Sequence, residues 1–295
     1  MCGIFGYIGR PTKKTTQMIQ ILGNLNEERG KDSTGLVISN GTQFVFHKEV
    51  GKAGKFFKDS KTVKMLHKFN KSDFMNVIGH TRQATRGLVT KENAHPFRIG
   101  RFILAHNGVI NNFDDLQKAC KTDYKVDSQI VGYLLNIFEP MEVFEKFVEG
   151  WFVIPYFDLE NQYELSIAKH TSPLALAILP DGSGAYYSSE DYHLKKALNQ
   201  TGIRAGVGKT DGSKLYTFKW ENGKLIRNKV KLNSVSFSRY SDGQQTTFGY
   251  HGRYTYNPKE EVEERAFKKT ILLLKEPTYK PLPISTIIGK KKITK

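Results

Sequence analysis

Cys2 is the residue whose type and place in this sequence best suit chemistry. It follows Met1 and precedes Gly3 and Ile4. Because the cysteine side chain is small, we expect Met1 to be removed, which would leave one residue with both a thiol and a free α-amino group. An α-amine has an ordinary pKa of about 8 and can act as a general base, while a thiolate is a strong nucleophile. One terminal residue would then supply a nucleophile and its base without a histidine.

Four further motifs follow the MCGIFG start in one order along the chain. They are RGKDSTG at 29–35, GHTRQATRG at 79–87, NAHP at 93–96 and HNGVINN at 106–112. This series resembles the glutaminase domain of class II glutamine amidotransferases, within the N-terminal nucleophile hydrolase superfamily. The resemblance is greatest to the glutaminase half of glucosamine-6-phosphate synthase and covers residues 1–240. Five motifs in order form a far more specific signal than any one of them.

The resemblance implies an α+β fold, a four-layer αββα sandwich of two mainly antiparallel sheets. The local pattern agrees, because Asn40-Gly41 and Asn222-Gly223 each separate two runs of β-forming residues, as in β-hairpins. Apolar residues at helical spacing predict helices over 15–25 and 128–138. Residues 241–295 differ in composition and are predicted to form a polar linker, a short amphipathic helix and a basic tail.

The resemblance also implies how glutamine is hydrolysed. Cys2 would attack the carboxamide carbon, form a γ-glutamyl thioester and release ammonia. The oxyanion that forms needs fixed hydrogen-bond donors. The Asn107 side-chain amide and the Gly108 backbone N–H match the family's oxyanion hole. An isolated Asn-Gly pair is otherwise typical of a turn.

Three residues are implied to bind the amino acid part of glutamine. Arg82 offers a planar cation for the α-carboxylate, and Thr85 would add a hydroxyl. Asp127 would bind the α-ammonium group. It also precedes an apolar-periodic segment, where aspartate is a common helix N-cap, and both roles are compatible.

The GHTRQATRG motif departs from the family pattern at two positions. Gln83 stands where tryptophan is usual, and Arg86 where a second histidine is usual. In the family this loop closes over glutamine and communicates with the acceptor site. We therefore expect glutamine binding to be kept but coupling to an acceptor to differ, with Arg86 as a further candidate carboxylate ligand.

Other residues in the motifs are expected to support the site. Arg29 and Asp32 would hold the N-terminal strand and the Cys2 amine. The histidines of the motifs fit no common zinc spacing, so we expect no metal and no cofactor, and we interpret them as supporting residues: His80, His95 and His106.

Composition limits the remaining possibilities. The chain has 295 residues, two cysteines and a formal net charge of +16. Without a disulfide framework, a signal peptide or an apolar run of about 18 residues, we expect a cytoplasmic protein that does not span a membrane. The charge could serve a nucleic acid, yet the basic residues are spread along the chain.

About fifty residues follow the glutaminase region, too few for an acceptor domain. The sequence therefore predicts that ammonia passes to a separate partner enzyme or is released. Two alternatives remain: an amide hydrolase with a different substrate, and a non-catalytic basic scaffold that binds nucleic acid or a partner.

Overall fold

The computed structural model describes residues 1–233, in which strands and helices alternate along the chain. The strands are β1 Gly3–Gly9, β2 Ser33–Ser39, β3 Phe44–Val50, β4 Met75–Arg82, β5 Phe97–Ile99, β6 Phe102–Leu104, β7 Asn107–Ile110, β8 Gly150–Asp158, β9 Asn161–His170, β10 Ala175–Ile178, β11 Gly184–Ser188, β12 Gly206–Lys209, β13 Lys214–Glu221 and β14 Lys224–Lys231. The helices are α1 Thr15–Asn26, α2 Ala53–Phe56, α3 Ser60–Phe69, α4 Phe113–Cys120, α5 Asp127–Leu135, α6 Pro140–Glu142 and α7 Asp191–Thr201. A π-helical turn, Val143–Phe147, follows α6 directly.

The strands form two seven-stranded sheets. The first has the order β12-β10-β11-β1-β4-β2-β3, and the second has the order β14-β13-β9-β8-β6-β5 with β7 also paired to β8. Every pairing between described strands is antiparallel. This confirms the mainly antiparallel architecture.

Apolar layers hold the sheets and helices together. Alternate residues of β1 point to opposite faces. Ile4 and Ile8 join the core between the two sheets, whereas Phe5 and Tyr7 join the core beneath α1 and α7. The run of β1 is apolar throughout because the strand is buried on both faces. Helix α5 packs on β5 and β6 of the second sheet. The order helix, sheet, sheet, helix is the predicted four-layer sandwich.

The sequence-based expectations agree with most elements and miss some. The predicted hairpin around Asn40-Gly41 is formed by β2 and β3, and that around Asn222-Gly223 by β13 and β14. Helices α3 and α7 were not identified from the sequence. The proposed linker, helix and tail at 241–295 lie outside the described residues. No helix among residues 1–233 is both long and apolar enough to cross a membrane.

Candidate active site

Cys2 lies at the end of the sandwich where β1 begins and β4 ends. Gly3 is paired with Thr81, so the residue before it lies beside the end of β4. The Cys2 Sγ is 3.4 Å from both the backbone nitrogen and the carbonyl oxygen of Gln83. The next residue, Gly3, packs closely on β4, because a Cβ there would lie 2.5 Å from the Thr81 Oγ1. The Cys2 side chain thus lies against the backbone of the residue that follows β4.

The surroundings of the Cys2 thiol act in opposite directions on its ionisation. Burial raises the pKa of the thiol, while the backbone hydrogen bond from Gln83, the N-terminal ammonium and Arg82 lower it, and the net direction is upward. With Met1 attached, the thiol therefore rests in its protonated form. A nearby base is needed to produce the thiolate nucleophile.

Arg29 holds the backbone of Cys2. Its Nε donates to the Cys2 carbonyl oxygen at 2.9 Å, and its Nη1 forms an ion pair with Glu190 at the start of α7. The Arg29 and Glu190 side chains are 7% and 25% exposed. This burial gives the pair more weight than an ordinary surface salt bridge.

Asp32 contacts the loop that follows β4 and forms no hydrogen bond with Cys2 in the described part of the chain. Its carboxylate accepts hydrogen bonds from the backbone N–H of Ala84 at 2.7 Å and from the side-chain amide of Gln83 at 3.2 Å. Gln83, which departs from the family pattern, therefore contacts Asp32 as well as Cys2. With glutamine in place of tryptophan, the loop gains a side-chain amide that donates to the Asp32 carboxylate, which also holds the Ala84 N–H at the start of the loop.

Asn107 and Gly108 begin β7 on the second sheet. Asn107 is 1% exposed, and neither polar atom of its amide has a hydrogen-bond partner within residues 1–233. Asn107 is paired with Val153, which belongs to the core between the sheets, so the amide faces the sheet that carries Cys2. Gly108 has φ +150°, and a Cβ there would lie 1.9 Å from the Trp151 carbonyl oxygen, so only glycine fits. A buried amide without a partner is costly unless a ligand completes it.

Asp127 is the first residue of α5. Its carboxylate accepts from the N–H of Ile110 at 3.1 Å and from the N–H of Ser128 at 2.9 Å. Burial opposes its ionisation, but His106 and these two N–H groups bring the pKa of the carboxyl below its ordinary value. The N-cap position belongs to Val126, so Asp127 is not the plain N-cap considered from the sequence. Asp127 is ionised, and its negative charge raises the pKa of the Cys2 thiol.

Arg82, the last residue of β4, is 2% exposed. Its guanidinium donates to three carbonyl oxygens of its own loop, those of Leu88 at 3.1 Å, Arg86 at 2.5 Å and Gly87 at 3.5 Å. Burial lowers the pKa of Arg82, whereas Cys2, Asp32 and Asp127 raise it. The cation is thus placed among the other predicted site residues, with its donors turned to the loop. Thr85 lies exposed in the same loop.

Arg86 lies on the rim of the site. Its guanidinium forms two hydrogen bonds with the carboxylate of Asp114 on α4, at 2.6 and 3.2 Å, and stacks over the Phe113 ring at 4.8 Å from its centroid. The Arg86 side chain is 47% exposed. In this structure Arg86 joins the loop to α4.

The three motif histidines form a buried cluster that joins the two sheets. His80 on β4 contacts the carbonyl oxygen of His106 through Nε2 at 3.0 Å. The Ser128 hydroxyl lies 2.7 Å from Nε2 of His95 and 3.1 Å from Nδ1 of His106. Burial lowers the pKa of His80 to about 3 and holds that of His95 well below its ordinary value. Both are therefore neutral at pH 7.

Sequence reasoning missed three residues of this region. They are Glu190, which pairs with Arg29, Ser128, which joins two histidines, and Asp114, which pairs with Arg86. Ser128 carried a usable signal, because it follows Asp127 directly. Glu190 and Asp114 are charged residues at helix starts, where solvated acids are common.

Comparisons with known proteins give a consistent result. Residues 28–129 match the family model of class II glutamine amidotransferases. The glutamine–fructose-6-phosphate aminotransferase (isomerizing) of Staphylococcus aureus (strain Mu50) is 35% identical over 194 residues, which cover 60% of this chain and 30% of that relative. The enzyme of the same name from Bacillus subtilis (strain 168) is 34% identical over 192 residues, with the same coverage. The match thus spans less than a third of these relatives.

The fold is also that of a solved amidotransferase. A glutamine phosphoribosylpyrophosphate amidotransferase from B. subtilis superposes with a TM-score of 0.61 at 19% identity, covering 77% of this chain and 49% of that one. A second structure, the allosteric regulatory enzyme of purine biosynthesis, gives a TM-score of 0.62 at 19% identity, covering 79% of this chain and 50% of that one. The family match, the relatives and the fold agree: the chain contains a domain of the class II glutamine amidotransferase family.

Proposed function

We propose that this protein hydrolyses glutamine to glutamate and ammonia, with Cys2 as the nucleophile once Met1 is removed. The observation that carries the proposal is the Asn107 amide, which is buried, unpartnered within the described chain and turned toward the sheet that begins at Cys2. An amide held in this way is suited to an oxyanion. Cys2, Asn107 and Gly108 are the proposed catalytic residues.

Glutamine would be held by its amino acid end. Asp127 is an ionised partner for the α-ammonium group, and Arg82 is a buried cation for the α-carboxylate. The carboxylate would replace the loop carbonyl oxygens that Arg82 now contacts. Thr85 is a further candidate ligand for the carboxylate, and Arg86, which now pairs with Asp114, a weaker one.

The reaction then needs two proton transfers at one residue. The free α-amine of Cys2 takes the proton from the thiol, and the thiolate sulfur forms a bond with the carboxamide carbon. The oxyanion accepts from the Asn107 amide and the Gly108 N–H. The ammonium returns its proton to the leaving nitrogen, the carbon–nitrogen bond breaks and ammonia departs. Water attacks the thioester by the same route and releases glutamate and the thiol.

We further propose that the ammonia is passed to a separate acceptor enzyme and that both act in the cytoplasm. Class II glutaminases of the kind this chain resembles work with an acceptor domain, and the matched region spans less than a third of the curated relatives. The identity of the acceptor is not implied by any residue of the site.

Ammonia release from glutamine tests the proposal directly. The wild-type protein, with Met1 removed, is expected to release ammonia and glutamate, and Cys2→Ala is expected to release neither. Cys120→Ser is the matched control, because Cys120 ends α4 and belongs to no predicted site. Glutamine-dependent ammonia release that persists in Cys2→Ala would overturn the assignment.

The two alternatives predict different results, one in assays with other substrates and the other in measurements of the N-terminus. An amide hydrolase with another substrate would turn over asparagine or an acylated compound but not glutamine. A non-catalytic scaffold would retain Met1 in mass spectra of the purified protein. It would also resist alkylation of Cys2 by diazo-oxo-norleucine.

A further inference from the structure

Strand β14 forms one edge of the second sheet, and all its charged residues are positive. Its eight residues, KLIRNKVK, include four basic residues and no acidic one. Only β13 pairs with it among residues 1–233. Seven of its residues are exposed. A long exposed edge is a template for another strand, and proteins commonly protect such edges with lysines.

The hydrogen bonds at the two ends of β14 show which backbone groups face the free edge. The Leu225 N–H donates away from β13, to the Gly182 carbonyl oxygen at 2.9 Å, whereas the Leu232 N–H donates toward β13, to Ser213 at 3.0 Å. The direction alternates along an antiparallel strand. The backbone groups of Arg227, Lys229 and Lys231 therefore face outward.

The side chains of the same residues share one face of the sheet. Arg227 and Lys229 are paired with Phe218 and Tyr216, which belong to the core between the sheets. Paired residues lie on the same face of a sheet. These cations therefore lie on the face that packs against the first sheet, at its edge and beyond the apolar residues. Arg227, Lys229 and Lys231 thus each combine an outward-facing backbone with a positive charge, and no strand among residues 1–233 pairs with that edge.

The row of paired residues through Lys231 leads to the candidate active site. It runs from Lys231 through Lys214, Lys169 and Val153 to Asn107. Lys169 is 4% exposed and donates to the Gly212 carbonyl oxygen at 3.0 Å. The C-terminal end of β14 therefore lies level with the site. Four strand spacings separate Lys231 from Asn107, a distance of about 20 Å.

Two features indicate what kind of partner fits. A second copy of β14 would place like charges opposite each other, which is unfavourable. The other face of β14 exposes apolar side chains, Ile226 at 50% and Val230 at 42%, which suit a protein better than a nucleic acid. The edge therefore selects an extended polypeptide whose acidic residues alternate with uncharged ones.

We propose that β14 binds an acidic strand of the ammonia-accepting partner enzyme, with Asp or Glu at every second position opposite Arg227, Lys229 and Lys231. The added strand would hold the partner beside the end of the sandwich where ammonia is released. This inference rests on the proposed function for the partner's identity, but the binding surface can be tested without turnover.

The probe is a fluorescent nine-residue peptide in which Glu alternates with Val and Thr. A peptide of the same composition with its Glu residues grouped at one end is the comparison. We expect the alternating peptide to bind the full-length protein, and the double variant Lys229→Gln/Lys231→Gln to bind it about tenfold more weakly, since two charge pairs are lost. The double variant Lys219→Gln/Lys224→Gln, which removes two charges from the opposite face, should bind it normally. Fluorescence anisotropy measures all of these.

Lys229→Pro tests strand addition separately from charge. The Lys229 N–H faces the free edge and contacts the Asn228 side chain at 2.8 Å rather than β13. Proline is tolerated at such an edge position, so the thermal unfolding midpoint should hold while peptide binding is lost. Equal binding of the grouped peptide, or unchanged binding by Lys229→Pro, would overturn strand addition. A single-stranded oligonucleotide is tested in the same way. If it binds the protein as tightly as the alternating peptide does, and its binding is lost in the Lys229→Gln/Lys231→Gln variant, the proposal of a protein partner is overturned.

Activity separates this inference from the proposed function. The Lys229→Gln/Lys231→Gln variant should hydrolyse glutamine at the wild-type rate, and Cys2→Ala should bind the peptide normally. Peptide binding in a protein without glutaminase activity would leave the surface standing and remove the proposed function. Glutaminase activity in a protein that does not bind the peptide would overturn the binding surface and leave the proposed function standing.

Discussion

Arg29 donates a hydrogen bond from Nε to the carbonyl oxygen of Cys2 at 2.9 Å, across 27 positions of sequence. Its Nη1 is held by Glu190, which comes 161 positions later. The backbone of the proposed nucleophile is therefore fixed by a side chain that is itself fixed by the start of α7. Nothing in this arrangement contacts the thiol, so we interpret both residues as positioning residues.

The variant Glu190→Gln should lower kcat about ten- to a hundredfold, because a small displacement of the nucleophile is costly. The KM for glutamine should change little, since neither residue is placed to contact the substrate. Glu190→Asp, which keeps the charge, should recover part of the rate. Steady-state glutaminase kinetics measure both constants, and a normal kcat in Glu190→Gln would show that Arg29 holds Cys2 alone.

Asn107→Ala should reduce kcat about a hundred- to a thousandfold, the usual effect of removing one oxyanion donor. The same variant should unfold at the same temperature as the wild type or higher, because the lost amide has no partner among the described residues. Activity and stability would then move in different directions.

Asn112→Ala is the matched control for that prediction. The Asn112 amide donates to Phe147 at 2.8 Å and accepts from the Glu149 N–H at 3.2 Å. Its loss should lower the unfolding midpoint and leave kcat near normal. If Asn107→Ala instead loses stability and keeps its rate, the amide serves the fold and not the oxyanion.

Arg86→Ala and Asp114→Asn should each raise the KM for glutamine by a similar factor of up to about fivefold, the range of an exposed ion pair. The reason is that the Arg86–Asp114 pair joins the loop carrying Arg82 and Thr85 to α4. The double variant should show no further increase, as expected for residues that act as one unit. An increase in Arg86→Ala alone would favour the other interpretation, in which Arg86 binds the substrate carboxylate itself.

The protein should lose stability as the pH falls from about 6.5 to 4.5, because unfolded histidines titrate near 6.5 while buried ones resist protonation. The pKa of His80 is lowered to about 3 and that of His95 is also lowered, so in this range the unfolded chain binds protons that the native state does not. Each group contributes a slope of at most about 1.4 kcal/mol per pH unit. The sign is fixed: the free energy of unfolding rises with pH across this range.

Urea denaturation at several pH values measures this slope. His80→Gln keeps a donor for the His106 carbonyl oxygen and removes the titrating group, so its stability should depend less steeply on pH. His67→Gln, at an exposed position of α3, should leave the slope unchanged. An unaltered slope in His80→Gln would mean that other groups dominate the acid sensitivity.

The central elements of the fold could be predicted from local patterns. The apolar run of β1, the helical spacing of α1 and the Asn-Gly turns each appear in a few neighbouring residues. Helices α3 and α7 were missed. The sequence nevertheless carried a local signal for both. The buried residues of α3, Thr62, Met65, Leu66 and Phe69, follow helical spacing, and Asp59 caps its N-terminus. The buried residues of α7 also share one face, but two of the five are polar. What no local window contains is the sheet against which each helix packs.

The candidate site shows the same division. The motifs predicted Cys2, Arg82, Asn107 and Asp127 as site residues, because their types and order in the sequence resemble those of a family that hydrolyses glutamine. The role of Arg86 could not be assigned in this way. Its partner Asp114 lies on α4, and the contact exists only because the loop and the helix meet in three dimensions.

The sequence by itself predicted the chemistry that we propose for this protein: a small residue that would let Met1 be removed, a thiol, an amide, a cation and an acid in the order of a known family. Only the tertiary structure decided how these groups are held. It brings Glu190 to Arg29, leaves the Asn107 amide buried and unpartnered within the described chain, and aligns three lysines with Asn107 along one row of the second sheet. The physical reason is that residue types fix which reactions are possible, whereas burial and hydrogen bonding depend on antiparallel strands distant in sequence.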